Sequence, residues 1–458
     1  MKKYYFVGIG GSGMNPLAQI FRQRGNWVGG SDRSFDRGTN AALFEKLQGL
    51  GIFLFPQDGS GITADLDTLV VSTAIEAQNR ELEQARSFSI PVMHRADLLA
   101  QLFNSGYGIA IAGTSGKTTV TGMTASVLDV AGKDPTVING GIIRQYESPA
   151  RIGNAKGGTS DIVLIETDES DGSIVKFQPR IGVITNISKD HKELGELRQL
   201  FQAFAGNTAD TLIVNGDDRE IRALGISNAI TFGMESSRGI AVERVQHSAH
   251  GTIFEMQGNL FHLSAPGLHN VYNAVAAIAV GLVMGLPVKA IQEGISSFAG
   301  IRRRLDIISR EHGITVIDDF AHNPDKIASS IAALRSMGER LIVIFQPHGY
   351  GPTRFLLSEL AASFSASLKS SDLLFLLPIY DAGGTADRSI SSSDLAQKIR
   401  GPKTNCAIDR KEVIEQVTGI VTAGDVIAVM GARDDTLSEF ARDIADRIGL
   451  STETNKIR

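Results

Sequence analysis

Residues 108–120 read GIAIAGTSGKTTV. An apolar run ends in glycine, a loop of small residues carries one lysine, and TVTGMTASVLDVAG follows with helix-compatible composition. The stretch therefore predicts a strand, a tight loop and a helix in succession. That order is the building unit of a parallel sheet, with the loop at the carboxyl end of its strand. Small residues let backbone N–H groups point inward at phosphate oxygens, Lys117 adds a point charge, and a threonine hydroxyl can complete the coordination of magnesium. A standard phosphate loop would start from a glycine where this chain has Ile111. The loop made by Gly113, Thr114, Ser115, Gly116, Lys117, Thr118 and Thr119 is thus a shorter variant, and its plainer alternative is a glycine turn joining strand to helix.

The alternation repeats along the chain. YYFVGI, a helix-compatible MNPLAQIFRQRG and NWVGGSD make a βαβ opening, and DTLVVST and IPVM add strands. DIVLIETDE, RIGVITNI and TLIVNGDD follow the lysine loop, each ending in polar residues. Residues 240–265 have the β-branched, alternating character of a small antiparallel patch, and PGLHNVYNAVAAIAVGLVMG then reads as a long helix opened by a polar turn. ITVIDDFAHNP, RLIVIFQPHG, DLLFLLPIY and DVIAVMGARDD resume the α/β pattern. SISSSDL reads as an exposed loop entering a helix cap, and the polar STETNKIR as a frayed end. The expected fold class is α/β in three domains: a Rossmann-like domain over 1–105, a central P-loop-type domain with a mostly parallel sheet over 106–299, and a second Rossmann-like domain over 300–458. A chain of 458 residues accommodates three such domains at roughly 150 residues each.

Composition narrows the partners. A net charge of −5 provides no basic field for nucleic acid, so a phosphate-bearing ligand has to be caught by local geometry. Cys406 is the one cysteine, which excludes an internal disulfide and fits a reducing compartment. MKKYYFVGIGG holds too short an apolar run for a secretory leader, and no uninterrupted run approaches the roughly 18 apolar residues of a membrane span. The expectation is a cytoplasmic protein, monomer or dimer, with neither nucleic acid nor membrane as partner.

Further candidate sites fall at loop positions. Glu166 closes DIVLIE before TDESDGS, while Asn186 and His191 lie in TNISKDH. Oxygen and imidazole groups arriving from neighbouring strands suit a magnesium ion bridging nucleotide phosphates, although taken singly the acidic residues read first as solvated loop and the histidine as a surface or core residue. His269, Asn270 and Asn273 open the long helix; amides three positions apart share one face and can meet an adenine edge, or simply cap the helix. Arg302, Arg303 and Arg304 form a cationic run, either solvated surface or a source of charge for phosphoryl transfer. GIGGSGM satisfies a dinucleotide fingerprint at Gly8, Gly10 and Gly13, with Asp32 after the second strand. A nicotinamide cofactor fits that pattern, and so does any diphosphate, a UDP-sugar included.

Together these motifs resemble the Mur ligase family. GTSGKTT is similar to that family's GTxGKTT, and ETDESDGS, TNISKDH, GLHNVYNA, FAGIRRR and DDFAHNP follow in family order. GIGGSGM, VGGSD, VVSTAI and IPVMHRADLLAQL resemble most the branch that joins L-alanine to UDP-N-acetylmuramate. The resemblance implies ATP-dependent formation of an amide through an acyl phosphate, with a UDP-N-acetylmuramate-type sugar as carboxylate substrate, an amino acid or peptide as acceptor, and ATP and Mg²⁺ as cofactors. It implies that Lys117 and Thr118 grip phosphate and Mg²⁺, with Glu166 or Glu169 and His191 as metal ligands. Asn270 and Asn273 would take the adenine, Asp318 the ribose, and Arg303 or Arg304 the γ-phosphate. Gly10, Gly11, Gly13, Asp32, Ser72 and Thr73 would line the UDP-sugar site, and His322, His348 and Arg354 the acceptor site.

Departures from the branch fall mostly in the last domain. Ser115 stands where the branch has histidine, DDFAHNP where it has DDYGHHP, and QPHGYGPTRF where it has QPHRYTRT, so Gly349 replaces an arginine and Arg354 is displaced. A free α-carboxylate is normally held by such a guanidinium fork. Asp381, Asp387 and Arg388 add charge nearby in sequence. The acceptor is therefore open between L-alanine and a peptide or other amine, as in a murein-peptide ligase. A catalytically quiet nucleotide-binding protein is the reading from another class, and the retained Lys117, Glu166 and His191 weigh against it.

Overall fold

The computed structural model describes residues 1–189, 192–234, 239–248, 251–381 and 387–456. The chain forms two compact units: Met1–Arg244 with Phe254–His262 and Tyr272–Ile301, and Val245–Ile253 with Leu263–Val271 and Arg302–Arg458.

The first unit contains two sheets. β1 (Lys3–Val7), β2 (Trp27–Ser31), β3 (Phe53–Phe55), β4 (Thr68–Val71) and β5 (Val92–His94) pair in parallel in the order β3-β2-β1-β4-β5. The second sheet holds β6 (Tyr107–Ala112), β7 (Thr136–Ile138), β8 (Ala155–Lys156), β9 (Ile162–Glu166), β10 (Ile181–Ile184), β11 (Thr211–Asn215), β12 (Ala229–Gly233) and β13 (Ile240–Ala241). Its order is β13-β12-β11-β10-β6-β9-β7-β8, and only β8 runs antiparallel to its neighbour. Strands buried on both faces need apolar side chains throughout, which is why AIA of β6, VLI of β9 and IGVI of β10 carry none that are charged. One continuous core joins the sheets: Leu98, Leu102 and Phe103 of the helix Arg95–Asn104 pack with Phe6 and Val70 on one side and Ala110, Val163 and Phe177 on the other.

β14 (Arg244–Ser248), β15 (Gly251–Met256) and β16 (Asn259–Leu263) form a small three-stranded sheet. Gln257 and Gly258, both at positive φ, make the two-residue connection between β15 and β16.

The second unit is built on β17 (Asp306–Glu311), β18 (Ile314–Asp319), β19 (Arg340–Gln346), β20 (Leu373–Leu376), β21 (Lys403–Cys406) and β22 (Asp425–Gly431). Its order is β17-β18-β22-β19-β20-β21, parallel except for β17. Ser391 and Asp394 form a reciprocal capping box on the helix Ser392–Ala396, which begins within SISSSDL, as the sequence suggests. The polar tail instead continues the helix Leu437–Lys456. STETNK has no Gly or Pro, and its one C-terminal signal, Asn455, comes only at the end of the helix; polarity alone does not end a helix. Among the described residues no helix is long and apolar enough to cross a membrane.

Candidate active site

The loop 113–119 leaves β6 and enters the helix Lys117–Val130. At Gly113 φ is +135° and a Cβ would lie 2.0 Å from Thr185 Oγ1; at Gly116 φ is +85° and a Cβ would lie 2.5 Å from Asn273 Oδ1. Both positions require glycine. Gly116 is also the helix N-cap and has no side chain of its own to cap the first turn, the arrangement by which a helix start presents backbone N–H groups to an anion.

Asn186, just past β10, holds the loop in shape. Its Oδ1 accepts from Thr114 Oγ1 (2.8 Å) and from the Ser115 N–H (2.9 Å), and its Nδ2 donates to Ser115 O (2.9 Å). Sequence groups this amide with the metal ligands; the structure spends it on the loop. Thr119 is buried beneath the helix start.

Two acidic side chains, one ending β9 and one just beyond it, meet the loop. Lys117 Nζ donates to Glu169 Oε2 and to Gly113 O, each at 2.6 Å. Burial raises the Glu169 carboxyl above the usual carboxylate range, although Lys117 pulls it down. Thr118 Oγ1 donates to Glu166 Oε2 at 2.7 Å. Gly140 lies against that carboxylate, where a Cβ would be 2.0 Å from Glu166 Oε1. The two glutamates thus divide the work: Glu169 neutralises the lysine, and Glu166 offers oxygens beside the threonine hydroxyl. His191 lies outside the described residues.

The N-terminal glycine loop follows β1. Gly10 N–H donates to Asp32 Oδ2 (2.9 Å), and Asp32 Oδ1 accepts from Ser34 N–H (2.8 Å), so this carboxylate ties the loop to the end of β2. Gly11 N–H donates to Gly8 O at 3.1 Å. A Cβ on Gly13 would lie 2.8 Å from Arg95 Nη1, and Arg95 pairs with Asp171 at 2.9 Å. Ser72 and Thr73 leave the carboxyl end of β4, adjacent to β1.

Asn273 touches Gly116 as described, whereas Asn270 donates from Nδ2 to Pro266 O at 2.7 Å. In the second unit Arg303 and Asp318 form a buried pair. Arg303 Nη2 donates to Gly431 O (2.8 Å), its Nε lies 3.6 Å from Asp318 Oδ1, and both Arg303 and Arg304 sit over the Phe320 ring, at 5.0 and 4.6 Å from its centre. Asp318 is fully buried and accepts from Ser438 Oγ. His322 and His348 meet edge to face with ring centres 4.8 Å apart. Arg354 pairs with Asp387 (2.8 Å) and donates to Ser389 Oγ (2.9 Å), and Arg388 pairs with Asp381 (2.8 Å). Gly349 has φ of +103°, a conformation L side chains rarely adopt.

Three family models tile the chain: "Mur ligase family, catalytic domain" over residues 3–107, "Mur ligase middle domain" over 111–281 and "Mur ligase, glutamate ligase domain" over 303–433. The UDP-N-acetylmuramate--L-alanine ligase of Geotalea uraniireducens is 36% identical over 450 residues, covering 94% of this chain and 95% of that protein. The chain belongs to the Mur ligase family. Among solved Mur ligases, the UDP-N-acetylmuramate-alanine ligase of Thermotoga maritima superposes with a TM-score of 0.79 at 28% identity, covering 98% of this chain and all of that one. A murein peptide ligase from Psychrobacter arcticus shares the fold at 22% identity, with a TM-score of 0.67 over 98% of this chain and 99% of that one.

Within this Mur ligase, several residues beside the loops escape a reading of sequence. Arg95 and Asp171 connect the glycine loop to the acidic loop, and Asn139 presents a buried Oδ1 with no hydrogen-bond partner among the described residues. Each sits inside a stretch with other features to explain it, Arg95 at a helix start and Asn139 in a glycine turn. An ETDESDGS motif signals carboxylates without saying which of them meets which cation.

Proposed function

We propose that this protein is an ATP-dependent, ADP-forming ligase that joins the carboxylate of a UDP-N-acetylmuramate-type sugar to an amine, in the cytoplasmic synthesis of peptidoglycan precursors. The observation that carries the reading is the start of one helix, where Lys117 and the Thr118–Glu166 pair stand at a glycine N-cap that has no side chain. The chain's identity to alanine-adding ligases over nearly its whole length supports the same reading.

A carboxylate oxygen of the sugar attacks the γ-phosphorus of ATP and ADP leaves. The amine then attacks the acyl carbon, loses a proton and expels phosphate. Lys117 and the loop amides hold negative charge in place as it shifts between phosphoryl oxygens. Thr118 Oγ1 and Glu166 are hard oxygen donors 2.7 Å apart, a set that suits Mg²⁺, with His191 as the third ligand expected from sequence. Bound there, the ion would neutralise charge on the phosphates. Gly10, Gly11, Gly13, Asp32, Ser72 and Thr73 bind the UDP-sugar, and His322 and His348 serve the acceptor. These roles divide among three functional domains, 1–105, 106–299 and 300–458.

The acceptor has two readings. Identity to the alanine-adding branch favours L-alanine. The positive φ of Gly349, together with Arg354 already paired to Asp387, favours a peptide or an amine without a free α-carboxylate. A phosphate-release screen with ATP, Mg²⁺ and UDP-N-acetylmuramate over L-amino acids and short peptides separates them. Release that needs both sugar and amine supports the ligase; ATP turnover indifferent to the sugar overturns it.

A further inference from the structure

The helix Asn15–Gln23 faces the β7–β8 region through three amide side chains, Asn15, Gln19 and Asn154, exposed by only 2–5%. Gln19 Nε2 donates to Asn15 Oδ1 (3.1 Å) and Asn154 Oδ1 (3.0 Å), and Asn154 Nδ2 donates to Asn15 Oδ1 (2.7 Å). Asn15 Nδ2 reaches the glycine loop, donating to Gly11 O at 3.0 Å and Gly10 O at 3.4 Å. On the other side, Asn154 O accepts from the Asn139 N–H (3.0 Å), and Asn139 Nδ2 donates to Gly141 O (3.0 Å). That turn abuts the phosphate end of the site. A Cβ on Gly140 would fall 2.0 Å from Glu166 Oε1, and one on Gly141 2.7 Å from Thr118 Cγ2.

Burying three amides costs desolvation that leucine or methionine would avoid, and a fully bonded amide cluster rewards one geometry over all others. Here the geometry concerns two ligand loops. Gly11 O also accepts from the Met14 and Asn15 N–H groups, at 2.9 and 3.0 Å, and peptide planarity means that holding this carbonyl also sets the direction of the next N–H.

Resting on the ligase reading above, we propose that Asn15, Gln19 and Asn154 are positioning residues that couple the UDP-sugar loop to the Thr118–Glu166 pair, so that sugar binding and nucleotide binding strengthen one another. A pair of loops joined only by apolar packing would shift independently. Through this cluster, ordering the glycine loop orders residues 139–141 and, with them, the seat of Glu166. By linkage the effect is reciprocal.

The test is a binding cycle on the full chain. The Kd of UDP-N-acetylmuramate is measured with and without β,γ-methylene-ATP and Mg²⁺, and the Kd of the nucleotide with and without the sugar. For the parent, each ligand tightens the other about tenfold, within the usual range of coupling. Gln19→Met is near-isosteric and removes both donors; Asn15→Ser is small and breaks the cluster from the loop side. Either variant, once its cooperative thermal unfolding shows it folded, keeps each single-ligand Kd within about threefold of the parent but loses the mutual effect to below about twofold. A structural role alone would lower the melting temperature and leave the coupling intact. Coupling preserved in a folded variant, or absent from a parent that binds both ligands, overturns the inference while leaving the ligase reading standing. A parent that does not bind the sugar at all overturns the substrate reading and this inference with it, a result visible before any variant is made.

Discussion

On the proposed function, the Lys117–Glu169 pair serves both stability and chemistry. Their side chains are 17% and 7% exposed, so removing the ammonium strands a carboxylate in a dry site. Lys117→Met is expected to lose about 2–4 kcal/mol in urea unfolding, the cost of breaking a buried pair, softened because burial raises the Glu169 carboxyl and so favours proton uptake once the ammonium is gone. Lys117→Met/Glu169→Gln recovers most of that stability, since a neutral amide needs no counterion. Both variants lose at least about 100-fold in phosphate release, because the charge that faced the phosphates is gone. Recovery of activity along with stability would show the lysine to be structural. Sequence exposes Lys117, Thr118 and Glu166, because a strand, a glycine loop and a helix announce where they lie. The role of Asn186 is not legible in the same way: an amide after a strand reads as a ligand or as a loop brace until its partners are known.

Elements were legible wherever burial leaves a pattern. The strands of the parallel sheets appear as short apolar runs ended by glycine or acid, and the capping box at Ser391 appears in its own residues. Short edge strands such as β3 and β21 are less distinct because they are partly exposed and mixed in composition. Near the start of the helix Leu268–Val283 lies a residue of thermodynamic interest: burial lowers the His269 pKa to about 4. A helix N-terminus opposes the imidazolium as well. The folded-state pKa lies below the ordinary 6.5, so the unfolded chain takes up the proton first. Stability from this residue is complete above pH 6.5 and is lost as pH falls toward 4, by at most about 3 kcal/mol. His269→Gln should flatten that part of the stability profile relative to the parent. Urea midpoints at several pH values between these limits measure it, and parallel profiles would reject the assignment.

At the scale of the molecule, the sequence reading divides the chain by function, whereas packing joins the first two sheets through one core. No linker composition marks the passage near residue 105, because the helix Arg95–Asn104 is itself core, with Leu98, Leu102 and Phe103 buried. The three family models nonetheless follow one another along the chain, so the motifs carry functional order that compactness does not. The central claim is that the loop beside Glu166 serves the transfer of a phosphoryl group to a carboxylate. Labelling the carboxylate of UDP-N-acetylmuramate with oxygen-18 tests it directly, by mass spectrometry of the phosphate released with an active acceptor. Attack by the carboxylate, followed by expulsion of phosphate from the acyl carbon, puts one labelled oxygen into each phosphate. Unlabelled phosphate would mean that water, not the sugar, receives the phosphoryl group, and would contradict the account.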